Sequence, residues 1–288
     1  WVVCLCLWRC ETCFPAEWAL VGCVAFALWC FGACVRFGVL FLRRSVVEIS
    51  DRALRSLLLT MSQLEMGYWG IRGLGSVLRM VFEYKEAQYT DVQFTDGAKW
   101  FKEKKPEILA KNPLANLPYV VDGDTVVCQT NAIMAYLGQK YDMEGKDARQ
   151  KLRHLELLCE IYDVRNGMIE LVYPFKKVNR TAEEYEAAAK EKVENPPFAK
   201  FESCLEVYGG DWFVAPDGPC VADFHIWEML DQHKLLGEKH GQPAMLDNFP
   251  KCKAFYDRFR ALPTLQKYFA SESYKLPINN GAAGAFFM

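Results

Sequence analysis

From Leu64 onward the apolar and polar positions fall into short, well-separated periods. Leu64 to Trp69 is apolar and aromatic over the length of a strand; Gly73 and Gly75 then punctuate a turn, and Val77, Leu78, Met80, Val81 and Phe82 mark a helix face. Ala87 to Phe94 alternates as a second strand. Trp100, Phe101, Ile108 and Leu109 predict a helix that ends before Asn112-Pro113, because the residue preceding a proline is pushed away from helical backbone angles. Tyr119-Val120-Val121 and Thr125-Val126-Val127-Cys128 flank Asp122-Gly123-Asp124, whose Asp-Gly step supplies the positive φ of a tight hairpin. Asn131 to Tyr141 resumes a helical period. The order is βαβαββα, a mixed sheet with an antiparallel hairpin at its end and helices covering it.

That order is the thioredoxin-like arrangement, predicted here over residues 61–142. Asp142 to Lys146 reads as a short polar linker, and beyond Asp147 the chain offers long helical periods: Leu152, Leu155, Leu158 and Tyr162; Tyr185 to Val207; Val221 to Leu236; Phe249 to Leu262. The second domain is therefore expected to be all-α over 147–276, with a flexible tail over 277–288.

Residues 1–60 follow different rules. Trp18 to Val35 carries no charge, and the apolar run continues past Arg36 to Leu42, long enough to cross a bilayer. The basic pair Arg43-Arg44 after it would keep everything downstream cytoplasmic. The segment also has little amphipathic order, and Met61 stands just before the first strand, where an initiator would sit. Three readings stay open: an upstream extension outside the native protein, a membrane anchor over 18–42, and a cleaved targeting segment.

Charge and cysteine narrow the function classes. Lys plus Arg number 34 against 36 Asp plus Glu, so the chain has none of the broad positive field that nucleic-acid binding needs. Seven of the 12 cysteines fall in the first 34 residues; Cys128, Cys159, Cys204, Cys220 and Cys252 are scattered without ligand spacing and read as reduced thiols. Cys10 and Cys13 form a CxxC without the strand and helix of a redox site or a second pair for zinc. The four histidines form no ligand pattern, and no metal is expected. Asn179-Arg180-Thr181 fits the glycosylation pattern but would be silent in a cytoplasmic protein.

Four features of the first domain together suit a γ-glutamyl tripeptide. Tyr68, in Gly67-Tyr68-Trp69-Gly70, ends the first strand, where its hydroxyl can point at a bound thiol. A phenol ordinarily titrates at about 10, so it would donate a hydrogen bond to a thiolate and lower the thiol pKa from about 8.5. Asn116-Leu117-Pro118 precedes the hairpin, where a cis proline would turn the Leu117 backbone outward to pair with a peptide. Gln129-Thr130-Asn131 opens a helix, an anion site for an α-carboxylate. Trp100 and Lys104 lie four apart on one helix face, a ring beside a cation for the other carboxylate. Each feature alone also fits a structural role: core tyrosine, loop proline, ordinary N-cap, and core ring beside a solvated charge.

In their order, YWGIRG, W-x3-K, NLPYV and QTNAI followed by a helical half, these residues resemble the cytosolic glutathione transferases, closest to the mu class, with a sigma-like or intermediate class as the alternative. The resemblance covers about residues 61–276. It implies a thiol-activating Tyr68; glutathione contacts from Trp69, Trp100, Lys104, Asn116, Leu117, Pro118, Gln129 and Thr130; Asp163 reaching across a homodimer to the partner's glutathione; and Tyr173 over the electrophile. It implies that glutathione is a co-substrate with no further cofactor, and that the protein is cytoplasmic. Three departures stand out. The stretch before Trp100 is too short for the mu loop, so the electrophile site should be more open. Leu114 stands where the class docks an aromatic plug into its partner. Cys220 replaces the Ser/Thr of a capping box with Asp223, a weaker helix start. The expected activity is conjugation of glutathione to electrophilic small molecules. Glutathione-dependent isomerase or peroxidase chemistry, or a non-catalytic binding or structural role, are the alternatives.

Overall fold

The computed structural model describes residues 64–288, so the segment 1–60 with its apolar run 18–42 and Cys10-Cys13, and Met61, lie outside the described residues. Strand β1 (Leu64–Trp69) leads through a Gly-rich turn into α1 (Gly75–Tyr84), then β2 (Thr90–Phe94). A π-helical turn (Lys99–Lys104) runs into α2 (Lys105–Leu109); β3 (Tyr119–Asp122), β4 (Thr125–Cys128) and α3 (Thr130–Lys140) complete the first half. The sheet order is β2-β1-β3-β4, with β1 parallel to β2 and antiparallel to β3.

Alternation along β1 separates two cores. Leu64, Met66 and Tyr68 join α1 and α3 in the large core shared with the helical half, whereas Phe94, Trp100, Ile108, Tyr119 and Cys128 form a small one. Gly67 pairs with Tyr119, and a Cβ there would lie 2.1 Å from the Tyr119 ring. That glycine lets the small core close against the sheet.

The second half is helical: α4 (Ala148–Val172), α5 (Ala182–Glu194), α6 (Ala199–Tyr208), α7 (Val221–Lys239), α8 (Pro250–Arg260) and the short α9 (Gln266–Phe269). The Asp147 side chain caps α4 by accepting from Gln150 N at 2.8 Å. The continuous helical run expected from Tyr185 to Val207 is two helices, because Pro196-Pro197 cannot continue the backbone ladder. Helix α7 is buried on nearly all sides and packs against α1, α3 and α4. Its start lacks a Ser/Thr cap, but the buried Asp223 carboxylate accepts from Cys220 N at 2.8 Å and Phe213 N at 2.9 Å. Asn179 is also buried, donating to Leu171 O at 3.1 Å at the end of α4, so its glycosylation pattern belongs to a helix terminus.

Residues 277–288 are docked, in place of the flexible tail expected. Arg72 N donates to Pro277 O at 2.8 Å, Gly73 N to Ile278 O at 3.1 Å, and Phe286 N to Val172 O at 3.0 Å. Phe286 stacks on Tyr185 at 5.2 Å, and Phe287 is buried. Backbone hydrogen bonds and two aromatic anchors hold a segment whose Asn, Gly and Ala content alone reads as loose.

Candidate functional site

Sheet register brings three of the expected features to one end of the sheet. Gly67 pairs with Tyr119, and Tyr119 pairs with Cys128. Tyr68-Trp69, Asn116-Leu117-Pro118 and Gln129-Thr130 are thereby neighbours across three strands. Leu117–Pro118 is the cis peptide expected, with Asn116 exposed, Leu117 half-buried and Pro118 buried. Asn116 N–H points at the Cys128 thiol; burial raises that thiol's pKa, and the hydrogen bond only partly offsets it. The Leu117 backbone makes no hydrogen bond to another described residue.

Gln129, exposed, precedes α3 with φ 73° and ψ 123°, a left-handed conformation uncommon for a residue with a side chain. Among the described residues no side chain caps the N–H groups at the start of α3, which leaves them open to an anion, with Thr130 buried beside them.

Tyr68 is 4% exposed. Its hydroxyl lies 2.8 Å from where a Cβ on Gly73 would sit, and its ring is as close to Gly75. Two glycines thus make the space for the phenol, and the positive φ of Gly73, 38°, adds a second demand for that residue. The tail's bonds to Arg72 and Gly73 pass over the same turn.

Three expected residues sit elsewhere or are engaged. Trp100 is 2% exposed and stacks on Tyr119 at 5.9 Å, a wall of the small core with no free ring face. Lys104 Nζ lies 3.0 Å from Glu65 and 3.1 Å from Glu107. Partial burial pulls its pKa down, but the two carboxylates outweigh that and raise it, so its charge is already matched. Tyr173, buried at the end of α4, accepts from Asn280 N at 2.6 Å. Burial raises its pKa, the Asn280 N–H lowers it, and the nearby Tyr68 adds a smaller upward push. Asp163 is exposed on α4 and Leu114 is 64% exposed, positions open to a second subunit.

The open volume beside this group lies next to Trp69. A cavity of about 450 Å³ is walled by Trp69, Ile71, Phe94 and Phe101 on one side and by the tail, including Asn279 and Met288, on the other. The short turn after β2 leaves Phe101, 58% exposed and 6.1 Å from the Trp69 ring, as the outer wall. Among the described residues no group of three or more His, Cys, Asp or Glu could hold a metal ion, and no helix is long and apolar enough to cross a membrane.

Sequence reasoning missed Arg72. Its guanidinium, 3% exposed, bonds Glu228 at 2.9 and 3.1 Å and Asp231 at 2.5 Å, and lies over the Tyr274 ring at 4.6 Å. Burial lowers its pKa but the two carboxylates more than restore it, to above the ordinary arginine value. The turn that follows Tyr68 is thereby tied to α7.

A thioredoxin-like sheet with Tyr68, the Leu117 backbone and the start of α3 gathered at one end, and an all-helical half packed on it, define the class of protein. The profile described as "Glutathione S-transferase, N-terminal domain" matches residues 64–139, and "Glutathione S-transferase, C-terminal domain" matches 162–272. Glutathione S-transferase Mu 3 of Homo sapiens is 30% identical over 227 residues, which is 77% of this chain and 95% of that protein. Glutathione S-transferase Mu 5 of Rattus norvegicus is 30% identical over 223 residues, 76% and 93% of the two chains. The crystal structure of the transferase Blo t 8 shares the fold with a TM-score of 0.63 at 24% identity, over 75% of this chain and 96% of that one. The pi-class transferase of Onchocerca volvulus does so with 0.59 at 24%, over 76% and 98%. The chain belongs to the glutathione S-transferase family, and the relatives named here by sequence are of the mu class.

Proposed function

We propose that this protein conjugates reduced glutathione to uncharged electrophilic small molecules. The observation that carries the reading is the convergence, by strand register, of Tyr68, the open Leu117 backbone and the uncapped start of α3 at one end of the sheet. Leu117 pairs with the peptide backbone, and Gln129, Thr130 and the α3 amides hold a carboxylate. Asn116 and Trp69 border the peptide. Lys104 and Trp100 support it from the small core. Asp163 is offered to the glutathione of a partner subunit in a homodimer, with Leu114 in the contact between subunits.

The chemistry is nucleophilic displacement or addition. Glutathione thiol loses its proton to solvent, and the thiolate forms a sulfur–carbon bond while a halide leaves with the bonding electrons, or while the π electrons of an activated alkene move to its acceptor group. Tyr68 donates a hydrogen bond to the thiolate, raising the fraction of nucleophile at neutral pH. Glutathione is a co-substrate and the reading needs no other cofactor. It places the protein in the cytoplasm.

The test is turnover by the full chain of a chlorodinitrobenzene and of an organic hydroperoxide with glutathione, alongside retention on immobilised glutathione. Conjugation predicts retention and halide displacement; retention with peroxide turnover alone, or with neither activity, contradicts it.

A further inference from the structure

A second cleft lies at the far end of α1 from the turn after Tyr68. That helix has 10 residues and is about 15 Å long, and the cleft shares no lining residue with the cavity beside Trp69. Its volume is about 360 Å³, and its walls come from both halves of the fold: the end of α1, the linker after α3, and the loop before α7. The backbone ties two of these walls together. Val221 N donates to Met143 O at 2.9 Å and Met143 N to Gly138 O at 2.7 Å, while Ala215 pairs with Gly218. Asp142 turns the linker with a φ of 55°, a left-handed conformation that aspartate adopts more readily than most residues.

The deep part of the lining is uncharged. Met143, Ala215, Pro219 and Cys220 are all buried there. Burial, with Asp223 nearby, pushes the Cys220 thiol up to about 12, and the Gly145 N–H it accepts only partly offsets this, so the sulfur stays a neutral thiol. The half-buried Tyr84 hydroxyl feels the same thiol and makes no hydrogen bond to another described residue.

The rim carries four charges, of which two are already matched. Lys146 and Asp217 bond each other. Lys85 and Asp142 are exposed, and neither side chain has an ion pair or hydrogen bond among the described residues. Lys85 Nζ lies over the Tyr141 ring at 5.9 Å. Lys146 and Lys151, the cations that feel Asp142, are bonded to Asp217 and Glu144 instead. An anion would be attracted by Lys85 and repelled by Asp142, and a cation the reverse; a ligand bearing both charges complements both.

We propose that this cleft is a second ligand site that takes a free aromatic α-amino acid, with its carboxylate on Lys85, its ammonium on Asp142 and its ring against Met143, Ala215, Pro219 and Cys220. The Tyr84 hydroxyl accepts the N–H of an indole ring, which makes tryptophan the probe of choice. The site is independent of the conjugation chemistry.

The experiment is titration calorimetry of the full chain with L-tryptophan, tryptamine and indole-3-propionate, each with glutathione present at saturation. The last two each lack one charge of the first and should bind about fivefold more weakly, the loss expected for one exposed ion pair. Lys85→Met should weaken tryptophan about fivefold and leave tryptamine unchanged; Asp142→Asn should do the same with indole-3-propionate as the unchanged ligand. Both variants alter exposed side chains, and the comparison of the three ligands on the wild type needs neither of them. No binding of tryptophan, equal affinity for the three ligands, displacement of tryptophan by glutathione, or variants that bind tryptophan as the wild type does would each overturn the proposal.

Discussion

Replacing Arg72 by methionine strands two carboxylates inside the fold. Glu228 is fully buried and Asp231 is 2% exposed, and both bond the guanidinium. Asp231 keeps the hydroxyls of Tyr256 at 2.6 Å and Tyr274 at 3.2 Å, but among the described residues Glu228 keeps only the Gln232 amide at 2.8 Å. Removing one partner of a buried ion pair typically costs about 3–5 kcal/mol, and the upper half of that range applies to a cation shared by two anions. At about 2–4 °C per kcal/mol for a domain of this size, the midpoint of thermal unfolding should fall by about 8–20 °C.

The sign with pH follows from Glu228. Burial already raises its pKa against the opposing pull of Arg72, and without the arginine it rises further. The folded variant then binds protons more readily than its unfolded chain. Its stability therefore falls as pH rises from the unfolded glutamate value of about 4.3 through the raised folded one. Urea unfolding of Arg72→Met at pH 5.5 and pH 8 should show the smaller deficit at the lower pH. Arg72→Met combined with Glu228→Gln should recover about half of the loss, because one stranded charge is gone. A deficit under about 1 kcal/mol, or one independent of pH, would refute the view that this network ties the turn after Tyr68 to α7.

Two further outcomes concern packing and acid stability. Gly67→Ala places a Cβ 2.1 Å from the Tyr119 ring, so the stacked Tyr119 and Trp100 must move; a loss of about 3 kcal/mol or more in chemical denaturation is expected, against less than 1 if the small core can yield. His154 and His225 are buried and their pKa values are lowered to about 4 and about 3 by desolvation, so their stabilising effect is present above the unfolded value near 6.5 and is lost as pH falls toward those folded values. His225→Phe should flatten the decline of stability between about pH 6.5 and pH 4 by up to about 1.4 kcal/mol per pH unit, and an unchanged slope would show that other groups set it.

The sheet was legible in the sequence because each strand has a sharp local signature, down to the Asp122-Gly123 turn. The site end was legible because strand register follows from those strands: once Gly67, Tyr119 and Cys128 align, Tyr68, Leu117 and Gln129 must meet. What escaped was non-local. Arg72 finds its partners 156 and 159 residues away, a distance over which a lone arginine between Ile71 and Gly73 gives no signal. Trp100 and Lys104 do share a helical turn, but helical spacing does not reveal that Tyr119 takes the ring and Glu65 the charge. The tail is held by its backbone, to which composition is blind. The break between α5 and α6 was readable at Pro196-Pro197 and was masked by the strong helical periods on either side of it.

Whether Tyr68 holds glutathione as thiolate is read by ultraviolet titration of the thiolate of bound glutathione in wild type and in Tyr68→Phe. The wild-type midpoint should lie well below the free thiol value of about 8.5 and the variant's should move up toward it, with glutathione affinity nearly unchanged. Coincident titration curves for the two proteins would contradict that role of Tyr68.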